Sequence, residues 1–235
     1  MKRVGIILAM QEELEALKEY LKIEKEYNIF DLTFYEGTIS GIECVLVQCG
    51  VGKVNAARTT QILIDNIKVD YIFNIGVAGG VDNSLSVGDI VLGEKLVQHD
   101  FDITSFDREK GFIPGVGVYV DSDTYLLTIA DSVLKTMQEV NYKRGVIASG
   151  DIFCTELKMG QKINTKFNAL CVEMEGASIA QVCYLSHVPF LIIRSISDVP
   201  NNNNVVTYEE FLNSSCKVVA KVMNDTLVKL GENEL

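Results

Sequence analysis

Short apolar runs alternate with amphipathic stretches along most of the chain. The run RVGIILA at residues 3–9 is typical of a strand buried on both faces, and the acidic stretch after it carries Leu14, Leu17 and Leu21 at a helical spacing. The same two patterns recur at later positions. Further strands are predicted at residues 32–39, 43–50, 70–75, 88–97, 144–151, 171–174 and 190–197, and helices at residues 10–21, 52–67, 123–140, 175–186 and 208–231.

The order of these elements indicates the fold class. A turn at Ser40 and Gly41 joins two strands into a hairpin near the start, and later strands alternate with helices. This order predicts an α/β protein, a three-layer αβα sandwich around a mixed, largely parallel twisted sheet. A length of 235 residues without a linker-like stretch predicts that residues 1–235 form a single domain.

Residues 99–120 depart from the alternation. The segment is polar, contains Gly and Pro, and is interleaved with Phe101, Phe106 and Phe112. Long loops of this kind in a compact domain are commonly functional, so the segment is predicted to be a functional loop.

The charge of the chain narrows the class of partner. There are 21 Lys and Arg against 32 Asp and Glu, a formal net charge of −11. Phosphate backbones and anionic lipid surfaces do not attract such a chain, so neither nucleic acid nor a membrane is the expected partner. A compact neutral or zwitterionic ligand fits better.

The cysteines and the first residues indicate the compartment. The six cysteines are scattered through apolar runs without a CxxC pattern, which is typical of buried, reduced thiols. The first apolar stretch is short and runs into acids, unlike a secretory signal, and no apolar run reaches the length that spans a bilayer. A cytoplasmic location is therefore expected.

Carboxylates follow three of the predicted strands. Glu12 and Glu13 follow the first, Glu173 and Glu175 follow the strand at 171–174, and Asp198 follows the strand at 190–197. Ligands of α/β sheets bind where strand C-termini meet, so Glu13, Glu175 and Asp198 are expected to converge if their strands are parallel. The alternative for each Glu is a residue that caps the next helix.

Acids around a cavity, with Arg194 nearby, suit cleavage of a glycosidic bond through a cationic sugar. One acid protonates the leaving group, another activates water, and negative charge stabilises the cation. Other chemistries are weaker, because His99 and His187 are the only histidines and no GxSxG occurs. No metal site is predicted.

Two glycine-containing stretches are candidates for ligand contact. GVGKVN at residues 50–55 begins like a dinucleotide fingerprint but lacks the third glycine, and a strand-to-helix turn explains it equally well. In GVAGG at residues 76–80, the small residues Ala78 and Gly79 would let a ligand approach the backbone after a buried strand, with a tight turn as the alternative.

Five segments between residues 5 and 199 carry a recognisable pattern, and they read GIILAMQEE, NIGVAGG, SGDIF, VEMEGASIAQV and RSISDV. Together, and in this order, they resemble the 5′-methylthioadenosine/S-adenosylhomocysteine nucleosidases of the nucleoside phosphorylase superfamily. The resemblance implies hydrolysis of the N-glycosidic bond of methylthioadenosine and adenosylhomocysteine, extending to 5′-deoxyadenosine, with release of adenine. It also implies a role in methionine salvage, no cofactor, a nucleoside as the small-molecule substrate and a homodimer.

The resemblance assigns roles to the acids. Glu13 would hold and activate the attacking water, with Glu12 as its solvated neighbour. Glu175 would bind the ribose hydroxyls, and Glu173 would have a supporting structural part. Asp198 would be the general acid toward N7 of adenine.

The remaining positions would line the substrate site. Ser197 would orient the carboxyl group of Asp198, Met174 would pack on the ribose, and Phe153 would stack on the purine. Arg194 would border the water site, the backbone around Cys154 would contact the base edge, and further contacts fall on Met10, Val51, Val77, Ala78, Gly79 and Tyr208. The partner subunit of a dimer would contribute Ile103, Phe106 and Pro114.

Two positions depart from the family's usual pattern. Val77 replaces a frequent Ser near the nucleophile region, and Arg108 replaces a frequent aromatic residue, which leaves the preferred 5′ tail open. A phosphorylase would need basic side chains for a phosphate dianion, and an ionised Glu13 would repel that anion, so water is the favoured nucleophile. Purine nucleoside phosphorylases, futalosine-type hydrolases and a non-catalytic nucleoside-binding module remain as alternatives.

Overall fold

The computed structural model describes residues 2–199 and 204–234. Within these residues one sheet is flanked by helices. The strands are β1 Val4–Leu8, β2 Lys22–Ile29, β3 Leu32–Ile39, β4 Ile42–Gln48, β5 Tyr71–Gly80, β6 Ile90–Gln98, β7 Val120–Asp121, β8 Tyr142–Ser149, β9 Ala169–Glu173 and β10 Phe190–Asp198. The helices are α1 Gln11–Lys18, α2 Lys53–Ile62 with a π-helical turn Leu63–Ile67, α3 Thr124–Leu134, α4 Leu157–Phe167, α5 Gly176–Ser186 and α6 Asn204–Glu234, and a 3₁₀ turn lies at Thr104–Phe106.

The sheet is mixed, and part of it closes on itself. Strand β5 pairs in parallel with β1 and β10 and, through its last two residues, antiparallel with β9. Strands β10, β6, β8 and β9 follow in that order, so they form a ring with β5, while β4, β3 and β2 extend from β1. Closure brings the C-terminal ends of β9 and β10 to the last residues of β5, and β1 ends beside the middle of the same strand.

Helices cover both faces of the sheet, as predicted for a three-layer αβα sandwich. Helices α1, α3 and α6 pack together over one apolar cluster, and α2 and α5 pack together over another. Helix α4 covers a third cluster against β8 and β9. Strands β1 and β10 are buried at every position, which explains why they read as continuous apolar runs.

The hairpin turn and most of the predicted elements are confirmed. Ser40 and Gly41 have φ angles of 50° and 86°, the positive values that a two-residue hairpin turn requires at both central positions. The predicted helix at 123–140 is too long, because α3 ends at Leu134 and turns follow.

Besides the two-residue β7 and the 3₁₀ turn, two elements have no counterpart among the predicted ones. Strand β2 is an edge strand that is mostly exposed and rich in charged residues, so it lacks a buried pattern. Helix α4 buries only a narrow stripe, formed by Gly160, Ile163 and Phe167.

The glycine stretch at 76–80 was predicted to lie beyond the end of the strand at 70–75, and this prediction is wrong. It continues β5, because β10 pairs alongside it, with Arg194 opposite Gly76 and Asp198 opposite Gly79. Strand pairing with a neighbour distant in sequence therefore overrides the local preference of glycine for loops. In the described residues, no helix is long and apolar enough to cross a membrane.

Candidate active site

A cavity of about 380 Å³ opens where β1, β5, β9 and β10 end. It is lined by most of the residues that the sequence singled out, namely Met10, Glu13, Val51, Val77, Ala78, Gly79, Phe153, Met174, Glu175, Ser197, Asp198 and Tyr208. The wall also includes Ala9, Val172, Glu173 and Glu209. Three acids that are distant in sequence thus face one space.

Glu13 caps a helix and faces the cavity at the same time. Its Oε2 atom accepts hydrogen bonds from the amides of Ala9 at 2.7 Å and Met10 at 3.0 Å, which completes the first turn of α1. Its Oε1 atom accepts one from the amide of Val77 at 3.1 Å. The neighbouring Glu12 is exposed, whereas Glu13 is buried. The capping alternative is therefore realised without removing Glu13 from the cavity.

Burial raises the pKa of Glu13, and the charge of Arg194 and the three amide donors oppose this effect. Carboxyl groups with a raised pKa at a cavity wall are candidates for proton transfer.

Gly76 is required by the close approach of two charged side chains. A Cβ atom at this position would lie 2.4 Å from Oε1 of Glu13 and 2.9 Å from Nη1 of Arg194. Any side chain here would push the two groups apart.

Arg194 lies beneath the cavity and does not line it. Its side chain is buried and donates to Oε2 of Glu173 and to Oδ1 of Asn74. Its Nη2 atom is 3.8 Å from Oε2 of Glu175. The positive charge of the guanidinium group thus offsets the negative charge of the buried acids.

Glu173 organises the turn between β9 and α5. Its carboxylate accepts the amides of Glu175 at 3.1 Å and Gly176 at 2.7 Å and also the hydroxyl of Ser149. The same hydroxyl accepts the amide of Ala177 at 2.7 Å. Ser149 and Asn74 were not among the predicted site residues, although a polar residue within a buried apolar strand is a signal that identifies both.

Glu175 is held by the loop that precedes α2. Its Oε1 atom accepts the amide of Gly52 at 2.8 Å. Burial and the charge of Glu173 raise the pKa of Glu175 to about 7, against the lowering effects of Arg194 and the Gly52 amide. The protonation state of this side chain is therefore sensitive to small changes in its contacts.

Asp198 ends β10 at an irregularity in the strand pairing. The register with β5 shifts between Ile196 and Asp198, and such bulges redirect a side chain. The carboxyl group is buried and its Oδ1 atom accepts the Ser197 hydroxyl at 2.9 Å. A Cβ atom on Gly79 would come within 3.3 Å of Oδ2. Glycine at position 79 therefore leaves the carboxyl group open to the cavity.

An aromatic wall completes the cavity. Phe153 is 44% exposed, and its ring meets that of Tyr208 edge to face at a centroid distance of 5.5 Å. The Tyr208 hydroxyl donates to Sδ of Met10 at 3.1 Å. An exposed aromatic face inside a cavity suits stacking on a planar base.

Some predicted residues lie away from this space. Cys154 is buried next to Phe153 but does not line the cavity. Ile103, Phe106 and Pro114 belong to the loop at 99–120 and do not line it either. Among the described residues, no group of His, Cys, Asp and Glu side chains has a geometry that could hold a metal ion.

Comparison with known proteins gives the family. Residues 3–228 match the family model described as Phosphorylase superfamily. The 5′-methylthioadenosine/S-adenosylhomocysteine nucleosidase of Staphylococcus carnosus is 41% identical over 228 residues, which cover 97% of this chain and 100% of the relative. The chain belongs to the methylthioadenosine/adenosylhomocysteine nucleosidase family. The resemblance noted in the sequence is thereby confirmed.

Solved structures of the nucleosidase family and of a related hydrolase share the fold. S-adenosylhomocysteine nucleosidase from Streptococcus pyogenes, in complex with 5-methylthiotubericidin, has a TM-score of 0.94 at 36% identity and covers 97% of each chain. Futalosine hydrolase of Helicobacter pylori has a TM-score of 0.92 at 32% identity and covers 100% of this chain and 98% of that one. Backbone similarity alone therefore does not distinguish an adenosylhomocysteine nucleosidase from a futalosine hydrolase.

Proposed function

We propose that this protein hydrolyses the N-glycosidic bond of 5′-methylthioadenosine and S-adenosylhomocysteine, and also of 5′-deoxyadenosine, releasing adenine as a step of methionine salvage. The observation that carries the proposal is the convergence of Glu13, Glu175 and Asp198 on one cavity with an aromatic wall. A relative named for the first two substrates matches nearly the whole chain in sequence, and a solved structure named for the second matches nearly the whole chain in fold.

In this mechanism Glu13 accepts a proton from the attacking water. Among the described residues, Oε1 accepts from one donor, the Val77 amide, so a lone pair remains for that water. Glu175 binds the ribose hydroxyls, and its negative charge stabilises the oxocarbenium-like sugar. Met174 packs against the ribose between these acids.

Asp198 protonates N7 of adenine while the glycosidic bond breaks, because adenine leaves poorly as an anion. The Ser197 hydroxyl fixes the orientation of its carboxyl group. Phe153 stacks on the purine, and Tyr208, Met10 and Val51 enclose the remainder of the nucleoside.

The nucleophile is expected to be water and not phosphate. No described residue that lines the cavity is basic, and the guanidinium of Arg194 is engaged with Glu173 and Asn74 below it. A phosphate dianion would be repelled by an ionised Glu13. Methylthioadenosine should therefore yield adenine and free 5-methylthioribose in buffer without phosphate, as measured by chromatography of the products.

The control for this experiment is the same reaction with added phosphate. Formation of a ribose 1-phosphate, dependent on phosphate, would show a phosphorylase instead. Inosine and a futalosine belong in the same series, because the futalosine hydrolase fold is so similar. Faster cleavage of the futalosine than of methylthioadenosine would favour that second function.

A homodimer is part of the proposal, and it is supported by the loop at 99–120. Phe106 in this loop is 78% exposed, and Ile103 is partly exposed beside it. Exposed apolar side chains on a long loop are typical of an interface, which here would bring Ile103, Phe106 and Pro114 to the partner's cavity. Six buried cysteines without a disulfide support a cytoplasmic location.

Phe106→Asp is expected to weaken the dimer and to reduce activity. Sedimentation of the wild-type and Phe106→Asp proteins at assay concentration measures the weakening of the dimer. The matched control is Phe30→Asp, because Phe30 is equally exposed, at 79%, on the β2 to β3 turn. A wild-type protein that sediments as a fully active monomer would contradict the dimer.

A further inference from the structure

A closed ring of hydrogen bonds lies beside the cavity without lining it. It joins Lys53 at the start of α2, Asp100 after β6 and Asp151 after β8. The Lys53 amide donates to Oδ1 of Asp151 at 2.8 Å, the Asp151 amide donates to Oδ2 of Asp100 at 3.0 Å, and the Lys53 ammonium donates to Oδ1 of Asp100 at 2.7 Å. Each member of this Lys53–Asp100–Asp151 ring thus holds the other two.

The ion pair between Lys53 and Asp100 in this ring is largely shielded from solvent. The side chains of Lys53 and Asp100 are only 18% and 20% exposed, so solvent screens their attraction weakly. Lys53 also donates to Oε1 of Gln98 at 3.2 Å, and Gln98 donates to Oε1 of Gln181 in α5 at 2.7 Å. Burial acts to raise the pKa of Asp100, but Lys53 and the Asp151 amide outweigh it and the pKa is lowered.

Two of the three loops that the ring joins, the one before α2 and the one after β8, each carry a wall of the cavity. Gly52, directly before Lys53, donates its amide to Glu175, and Val51 lines the cavity beside it. Phe153 lies two residues after Asp151. Gly52 has a φ of 102°, and a Cβ atom there would lie 3.2 Å from Oδ1 of Asp151, so the ring and the Gly52 amide are packed as one unit.

We propose that Lys53, Asp100 and Asp151 are positioning residues for this reaction. They hold the Gly52 amide against Glu175 and keep Phe153 at a fixed distance across the cavity. Glu175 and Phe153, which contact the ribose and the base, are then at the required separation before a nucleoside binds. The inference rests on the proposed nucleosidase function.

Loosening the ring would change the protonation of Glu175. The Gly52 amide favours its ionised form, and the other ionisable groups around it are Glu173 from β9, Arg194 from β10, Glu13 from α1 and the thiol of Cys49. A weaker Gly52 bond raises the pKa of Glu175, so the ionised form appears at higher pH. The acidic limb of the pH profile then moves to higher pH.

Lys53→Met tests the proposal, because it keeps the chain length and removes the ammonium. We expect kcat/KM for methylthioadenosine to fall by about 10- to 100-fold, the scale of a sub-ångström to ångström displacement of binding groups, and the acidic limb to shift upward. Lys53→Arg should restore most of the rate. The matched control is Lys95→Met, which removes an exposed ion pair with Asp121 and should leave both readouts unchanged.

A Lys53→Met protein that keeps kcat/KM within about twofold and the wild-type pH profile overturns the proposal. If this variant does not fold, Asp100→Asn provides the same test, because it keeps the size of the side chain and removes the charge. Hydrogen exchange separates the proposal from the function: residues 50–53 and 150–153 should both exchange faster in the Lys53 variant than in the Lys95 variant, whatever substrate is cleaved. Unchanged exchange in both segments refutes the ring, whereas a wild-type protein that releases no adenine refutes the proposed function.

Discussion

Asp198→Asn is expected to abolish adenine release from a protein that still folds. Asparagine keeps the size of the side chain and an oxygen that can accept the Ser197 hydroxyl, but it has no proton to deliver to N7. Without that proton, adenine must leave as an anion. A transition-state-like adenosine analogue should still bind, although more weakly, because the other walls of the cavity remain.

Turnover and melting temperature, measured on the same variant, decide between the two interpretations of this residue. If Asp198 only stabilises the end of β10, the variant melts earlier and keeps its turnover. The matched control is Asp123→Asn, since Asp123 caps α3 by accepting the Leu126 amide outside the cavity. A stable Asp198→Asn protein with near wild-type release of adenine would exclude the general-acid role.

Glu13→Gln is expected to lower turnover by at least about 100-fold, the usual scale for a missing general base. The amide retains the shape of the side chain and one acceptor oxygen, but it cannot take a proton from water. Substrate binding should be nearly unchanged, since the ribose and base contacts assigned to Glu175, Met174 and Phe153 are intact. Calorimetric binding and single-turnover rates separate these two effects.

Glu12→Gln is the control for Glu13→Gln. The two acids are adjacent in α1, but Glu12 is exposed and Glu13 is buried in the cavity wall. The same loss of charge at Glu12 should therefore leave turnover unchanged. If Glu13→Gln turned over as fast as the Glu12 variant, the activation of water would have to be assigned to another group.

Much of the fold could be predicted from local hydrophobic patterns in the sequence. The run at Val4–Leu8 is buried at every position, and the helical spacing of Leu14 and Leu17 marks α1, which ends at Lys18 and before Leu21. Burial periodicity reports the faces of each element, so buried strands and amphipathic helices leave a clear signal. The mostly exposed β2 leaves none, and the narrow buried stripe of α4 was missed.

The candidate acids could be predicted from the sequence for a related reason. Glu13, Glu175 and Asp198 each come shortly after or at the end of an apolar run, and the ends of strands in α/β proteins meet at one edge. Family resemblance then distinguished Glu13 from Glu12 and Glu175 from Glu173. Their relative burial and hydrogen bonds required the structure, because two acids that are one or two residues apart carry the same local signal.

Local sequence determined which segments would be strands and helices and which acids would stand at their ends, because those properties depend on neighbours within a few residues. The tertiary structure alone decided that Gly76 continues a strand, that Gly52 donates to a carboxylate 123 residues away, and that Lys53 closes a ring with Asp100 and Asp151. These contacts depend on strand order, register and the closure of β5 onto β9, and short-range patterns do not encode which distant segments become neighbours.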